Sequence, residues 1–179
     1  ADKEVGDGKF AISNGEKVEK EFNFAAALLH SFEYDEAEKV FAGIIEKEPN
    51  CAMAYWGVAM SNFHPLWTAP EEKELIKGSK ALEVAASIRQ TTERESDYIQ
   101  ALGQFYKEWD KTDHRTRCIR YEKAMEEVYK KYPDDKEAAA FYALSLDASA
   151  DPTDKTFANQ KKAADILNGI YINEPDHPG

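Results

Sequence analysis

The sequence has few cysteines, fewer cations than acids and no long apolar run, and each shortage excludes a class of protein. Its 179 residues contain two cysteines, Cys51 and Cys118, too few and too far apart for a disulfide framework or a metal-binding knuckle. Lys and Arg number 23 against 34 Asp and Glu, and this net charge of −11 disfavours a nucleic-acid partner, which needs a clustered basic face. No stretch approaches the roughly 20 apolar residues that span a bilayer, so we predict no membrane insertion.

Motifs that carry catalysis are missing as well. The chain has no phosphate-binding loop ending in Gly-Lys-Ser or Gly-Lys-Thr, no Gly-x-Ser-x-Gly, no His-Glu-x-x-His and no Cys-x-x-Cys. Residues 6–11 (GDGKFA) have the spacing of a loose dinucleotide fingerprint, but no hydrophobic strand precedes them. We therefore predict a protein that is not an enzyme and uses no cofactor.

What the sequence does contain is helical periodicity. From about Glu16 onward, apolar residues recur at intervals of three and four, which is typical of amphipathic helices. Prolines and polar clusters divide this pattern into eight helices with no strand pair, so we predict an all-α fold. Residues 1–15 are predicted to form an extended N-terminal arm, and residues 16–179 the helical domain. Capping-box spacing predicts helix starts at Thr92, with Glu95, and at Asp134, with Glu137.

The helices recur as a repeat. Four helix-ending positions lie 42 residues apart: Pro49, Thr91, Pro133 and Pro175. A small residue follows each of the first three after ten residues, and a fourth lies 34 residues before the first of these: Ala59, Ala101, Ala143 and Ala25. Two helices approach closely only where one offers a short side chain, so these positions predict tight contacts within four helical hairpins.

Several strings of the sequence resemble one family. Residues 28–34 (LLHSFEY), 52–57 (AMAYWG), 64–67 (HPLW) and 175–179 (PDHPG) are similar to a bacterial group of tetratricopeptide repeat (TPR)-like proteins of poorly defined function. The resemblance covers about residues 20–179, although the 42-residue spacing departs from the usual TPR repeat of about 34 residues. It implies a right-handed solenoid of about four antiparallel helical hairpins that acts as a protein-interaction scaffold. It also implies a fragment of a longer chain, with further repeats after Gly179.

The first helix of each hairpin in a solenoid lines the concave face, so equivalent positions form rows there. These rows are apolar and aromatic with almost no Lys or Arg, and we predict that they bind a protein or peptide segment. The predicted partner-binding residues are Phe22, Leu29, His30, Trp56, Met60, Phe63, His64, Trp67, Tyr98 and Phe105. Exposed apolar rows of this size are rare, so a downstream segment of the chain or its own N-terminal arm is an alternative occupant.

A second hypothesis concerns two histidines. His30 and His64 occupy equivalent repeat positions, so they would face each other from neighbouring helices about 8–10 Å apart, a distance that a metal ion can bridge. With Glu33 and Trp56 they would form a small-molecule or metal-binding module. A satisfied polar pair is the commoner arrangement, so we assign no metal ligand. The two cysteines are expected to be free thiols, and His114 and His177, at helix boundaries, are expected to face solvent.

Overall fold

The computed structural model describes residues 9–179, and within that range the chain forms eight α-helices and no strand. This confirms the all-α prediction. Residues 1–8, most of the predicted arm and the start of the glycine-containing segment 6–11, lie outside the described residues. The helices are α1 (Gly15–His30), α2 (Tyr34–Lys47), α3 (Ala52–Phe63), α4 (Glu72–Ser87), α5 (Glu93–Tyr106), α6 (His114–Lys131), α7 (Lys136–Ser149) and α8 (Ala158–Asn173).

Each helix packs against the next one along the chain, and ion pairs between helix ends show the antiparallel direction. Lys17 at the start of α1 lies 2.8 Å from Glu48 just after α2, and Lys131 at the end of α6 lies 2.7 Å from Glu93 at the start of α5. Helix α1 also contacts α3, and α3 contacts α5. Helices α1, α3 and α5 therefore form a layer of neighbouring helices.

Helix ends follow local rules with one exception. Helices α2, α6 and α8 each end two residues before a proline, because the residue before proline disfavours the helical conformation. Helix α5 begins with the predicted capping box of Thr92 and Glu95. The box predicted at Asp134 is wrong: Asp135 caps α7 through its side chain, and Glu137 is used elsewhere.

The core is continuous from α1 to α8, and the four repeat alanines lie inside it. Ala25, Ala59 and Ala143 are fully buried, and Ala101 is 3% exposed. Glycines mark two further close approaches, because a Cβ atom at Gly57 or Gly78 would overlap a buried aromatic ring. None of the helices between residues 9 and 179 combines the length and the apolar character needed to cross a membrane.

Candidate functional site

The structure buries most of the predicted partner-binding residues. Seven of the ten side chains are at most 2% exposed and are core residues here, so they do not line an open groove: Phe22, Leu29, Trp56, Met60, Phe63, Tyr98 and Phe105. The side chain of His30 is 4% exposed and that of His64 is 13% exposed. Trp67, in the loop after α3, is 60% exposed and is the one predicted residue that reaches freely into solvent.

One half of the aromatic row is buried against the second helix of a hairpin. The rings of Phe63 and Phe105 lie 3.8 Å apart, and Tyr121 of α6 meets Phe63 edge-on at 5.3 Å. The Tyr121 hydroxyl also lies 3.9 Å from the sulfur of Met60. Packing against Tyr121 of α6 therefore buries this half of the row.

The other half of the row is covered by the N-terminal arm. Phe10 is 1% exposed and inserts among four aromatic rings at centroid distances of 5.2 to 6.4 Å: Phe22, Trp56, Tyr98 and Phe141. We call these four side chains the arm-binding surface. They come from α1, α3, α5 and α7, one from each hairpin. Of the occupants considered from the sequence, the chain's own arm is the one that the structure places here.

Polar contacts hold the arm at Phe10, Ala11 and Ser13. The Phe10 N–H donates to Asn23 Oδ1 at 2.9 Å. Three residues on, the Ser13 N–H and hydroxyl both donate to Glu95 Oε1, at 2.7 and 3.0 Å. Arg94 donates to the carbonyl of Ala11 at 2.9 Å. Three of these four contacts involve the arm's backbone, so the arm is held mainly by features that any peptide has.

Arg94 links the arm to the start of α7. Its guanidinium lies 4.7 Å from the centre of the Phe10 ring and donates two hydrogen bonds to the Asp135 carboxylate, at 2.6 and 3.0 Å. Burial lowers the pKa of Arg94, but the hydrogen bond to Asp135 and the charges of the surrounding acidic groups together outweigh burial, and the pKa is raised. The Tyr98 hydroxyl donates to the same carboxylate. The arm-binding surface is therefore bordered by a charged, fully paired edge.

A buried carboxylate joins the two ends of the helical domain. Glu137 accepts from His30 at 2.7 Å and from His177 at 3.3 Å, and all three side chains are at most 4% exposed. Burial raises the pKa of Glu137, but the two imidazoles outweigh burial and hold it at about 2. The hydrogen bond to Glu137 raises the pKa of His177. The expectation that His177 faces solvent is wrong, because it pairs with this carboxylate.

The structure gives His30 and His64 different partners. His64 Nε2 lies 3.3 Å from Glu74 in α4, whereas His30 pairs with Glu137 in α7. Among residues 9–179, no group of three or more His, Cys, Asp or Glu side chains has the arrangement needed to hold a metal ion.

A surface cavity of about 610 Å³ opens beside His64, between the α1–α2 turn and the α3–α4 loop. We call it the loop-end cavity. Exposed Phe32 and Trp67 stand at its rim with ring centroids 6.0 Å apart, and Ser61, Asn62 and His64 line it. Phe32 and His64 have positive φ angles, a backbone conformation that non-glycine residues adopt at a cost of order 1 kcal/mol.

Comparison with known proteins identified no relative. No protein-family model, no curated protein and no solved structure shows significant similarity to the chain.

Sequence reasoning did not find the residues that hold the arm. No sequence motif marks the four residues Asn23, Arg94, Glu95 and Phe141. Arg94 is also a cation on a face that was expected to have almost none. The one usable signal is the alternation of apolar Phe10 and Ile12 within an otherwise polar arm. That alternation is typical of an extended segment with one face buried.

Proposed function

We propose that this chain is a non-catalytic protein-interaction scaffold whose arm-binding surface takes a non-helical peptide segment with a central phenylalanine. We also propose the finer architecture that the TPR resemblance implies, a right-handed solenoid of four hairpins. The contacts of α1 with α3 and of α3 with α5 support this architecture, because first helices of successive hairpins are neighbours in such an array.

The observation that carries the proposal is the occupant itself. Residues 10–13 (FAIS) lie on the arm-binding surface without regular secondary structure. The helical domain contacts them in the way that a scaffold contacts a bound peptide. One ring fills an aromatic pocket, and side chains of the scaffold bond to the peptide backbone. Anchoring by a buried aromatic residue with backbone hydrogen bonds around it is a common mode of peptide recognition.

The contacts also indicate what the surface selects. The four rings around Phe10 require a flat apolar side chain, because an aliphatic one would leave part of the pocket empty. The hydroxyl of Ser13 adds a bond to Glu95 that an alanine lacks. Arg94 and Asn23 contact backbone atoms, so they are indifferent to the neighbouring side chains. Ile12 also packs against the core, so the favoured partner segment is Phe-x-Ile-Ser.

A partner segment has to displace the arm. A tethered segment acts at an effective concentration of about millimolar, so wild-type protein will bind a free peptide weakly. Phe10→Ala should empty the aromatic pocket and admit a peptide in trans. Because removal of a buried phenylalanine costs about 3–5 kcal/mol, circular dichroism must first show that the variant is folded. Phe10→Leu is the milder variant if it is not.

The test is fluorescence anisotropy with a labelled peptide of residues 9–14 (KFAISN). We expect saturable binding to Phe10→Ala, at least tenfold weaker binding to wild type, and no binding of the control peptide KAAISN to either protein. A tenfold difference corresponds to about 1.4 kcal/mol. Equal binding of the two peptides to Phe10→Ala, or no binding of either, would mean that the surface is only the site where the chain's own arm packs.

A further inference from the structure

Unpaired buried nitrogens are concentrated at one end of the helical layer. His64 Nδ1, His114 Nδ1, and Nε and Nη1 of Arg117 have no hydrogen-bond partner. Among the buried side-chain nitrogens and oxygens of residues 9–179, the one other atom without a partner is Asp147 Oδ1. Buried polar atoms are nearly always paired, so four unpaired nitrogens in three side chains indicate an absent acceptor. We call these three side chains the donor cluster.

The members of the donor cluster are neighbours. The Arg117 guanidinium lies 4.8 Å from the centre of the Phe105 ring, and the His114 ring meets the same phenylalanine edge-on at 5.8 Å. Burial lowers the pKa of His114, and the charges of Arg117 and His64 lower it further. Arg117 and His114 thus lie against one apolar ring, and His64 is close enough for its charge to act on His114.

Two acidic side chains, Asp113 and Glu74, lie near this cluster, but neither accepts a hydrogen bond from its unpaired nitrogens. The Asp113 carboxylate caps α6 by accepting from the N–H and hydroxyl of Thr116. Glu74 accepts from His64 Nε2 and from the Glu71 N–H. Burial alone raises the pKa of Asp147, with no contribution from a cation.

Two neutral groups complete the surroundings. Burial raises the pKa of Cys118 to about 11, so its thiol beside His114 stays uncharged near neutral pH. Burial also raises the pKa of Tyr106, whose hydroxyl donates to the carbonyl of Ala59. Neither group supplies the missing negative charge.

Arg94 is a paired arginine of the same protein, with which Arg117 can be compared. It bonds to a carboxylate and a carbonyl, and its pKa is raised. Arg117 is 5% exposed, has no hydrogen bond from Nε or Nη1, and has its pKa lowered by burial. Burying a charge without a partner is costly, and the face of the Phe105 ring offsets only part of that cost.

We propose that the donor cluster of His64, His114 and Arg117 is a binding site for a small anion, either a halide or the carboxylate of a small organic acid. The anion supplies the acceptor that the unpaired nitrogens lack and the charge that Arg117 lacks. His64 also lines the loop-end cavity, which gives the anion a path from solvent. This site uses none of the side chains that hold the arm, so it stands apart from the proposed peptide binding.

The test compares anions at constant ionic strength. Thermal unfolding is followed in sodium chloride, sodium formate and sodium phosphate, with bulky sodium gluconate as the balancing salt. We expect the Tm to rise with chloride or formate, because a ligand that binds only the folded state stabilises it, and to rise less with phosphate. A response to formate beyond that to chloride would identify carboxylates as the preferred ligand, and the reverse would identify halides.

Two variants on one helix separate the site from general salt effects. Arg117→Met removes the charge with little change in volume and should lose most of the anion-dependent rise in Tm. Arg115→Met removes an exposed arginine that pairs with Asp151, so it should keep the full response. If Arg117→Met does not fold, His114→Gln replaces it, with a reduced response expected.

A direct measurement distinguishes anion binding at the donor cluster from general screening of charge by salt. Wild-type protein should broaden the ³⁵Cl resonance of chloride, and formate should reverse the broadening if it shares the site. Arg117→Met should show less broadening than Arg115→Met. The proposal is overturned if both variants respond to anions as the wild type does, or if no anion raises the wild-type Tm above its value in gluconate.

Discussion

Burial raises the pKa of the Glu137 carboxyl group, whereas pairing with two histidines lowers it. A lone buried carboxyl group would take up a proton, but His30 and His177 keep this one ionised. It holds His177, in the turn after α8, against the ends of α1 and α7. The attachment of this turn to the rest of the molecule therefore depends on the protonation of Glu137 and His177.

The free energy of unfolding should reflect this cluster as a function of pH. Glu137 has a folded pKa of about 2 against an ordinary value of 4.5, so its contribution is present above pH 4.5 and is lost as the pH falls toward 2. The pKa of His177 is raised above 6.5, so its contribution is present below pH 6.5 and is lost as the pH rises through the folded value. The cluster should stabilise most between these limits.

Urea unfolding of wild type and Glu137→Gln over pH 3 to 9 measures the effect. The difference between the two free energies should be greatest between pH 4.5 and 6.5 and should shrink on both sides. A difference that does not change with pH would show that Glu137 acts by shape alone. Glu127→Gln, an exposed substitution on α6, is the control and should leave the wild-type profile unchanged.

At the scale of the elements, some glycines lie where two helices are in close contact. Gly78 of α4 lies under the Tyr106 hydroxyl of α5, and that hydroxyl is held by its bond to the Ala59 carbonyl at 2.6 Å. A Cβ at position 78 would overlap the hydroxyl oxygen, and a shift of the ring would break its hydrogen bond to Ala59. Gly43 and Gly103 are also helical, but a Cβ at either would meet no atom within 4 Å.

Matched Gly→Ala substitutions should therefore change the free energy of unfolding in opposite directions. Gly43→Ala and Gly103→Ala should raise the free energy of unfolding by about 0.5–1 kcal/mol, because alanine restricts the unfolded chain and favours the helix. Gly78→Ala should lower it by about 1–3 kcal/mol through overpacking. Chemical denaturation of the three variants measures this, and a stabilised Gly78→Ala would mean that α4 and α5 have room to separate.

The elements are the part of the molecule that the sequence predicts best. Helix periodicity and helix stops are local properties, so the eight helices and the cap at Thr92 could be predicted. The cap at Asp134 failed because two adjacent aspartates offer the same chemistry one residue apart. A distant contact decided between them: Asp135 also pairs with Arg94, and Glu137 pairs with His30.

At the scale of the whole molecule, the two cysteines lie in separate parts of the core. Both are free, as expected from the sequence, and each is 1% exposed. Burial raises the pKa of both thiols, that of Cys118 to about 11, so neither is an activated nucleophile. The thiols should react with a disulfide reagent only when the molecule opens.

Thiol titration should therefore count almost no rapidly reacting thiol in the folded protein and two per chain in guanidinium chloride. A thiol that reacts at once under native conditions would identify a part of the core that opens locally. Comparison of Phe10→Ala with wild type extends the test, because Cys51 belongs to the same core as Phe10. Faster reaction in the variant is expected.

The candidate site could be predicted only in part because it depends on long-range contacts. The repeat positions place Phe22, Trp56 and Tyr98 together, and the structure brings all three to Phe10. Packing between distant helices decides which side of each helix is covered and by which segment. Local sequence patterns contain no information about that packing. The donor cluster is similar, since an unpaired atom becomes visible only when every neighbour is placed.

The bond between Ser13 and Glu95 spans 82 residues of sequence. Glu95 reaches Ser13 with one carboxylate oxygen and caps α5 with the other, so its position depends on α5 being formed. Contacts of such separation form late, after the loop-closure entropy has been overcome by other interactions. The arm precedes the four hairpins in the sequence, but it can dock fully only after all four have packed together, because each hairpin contributes one ring to the surface around Phe10.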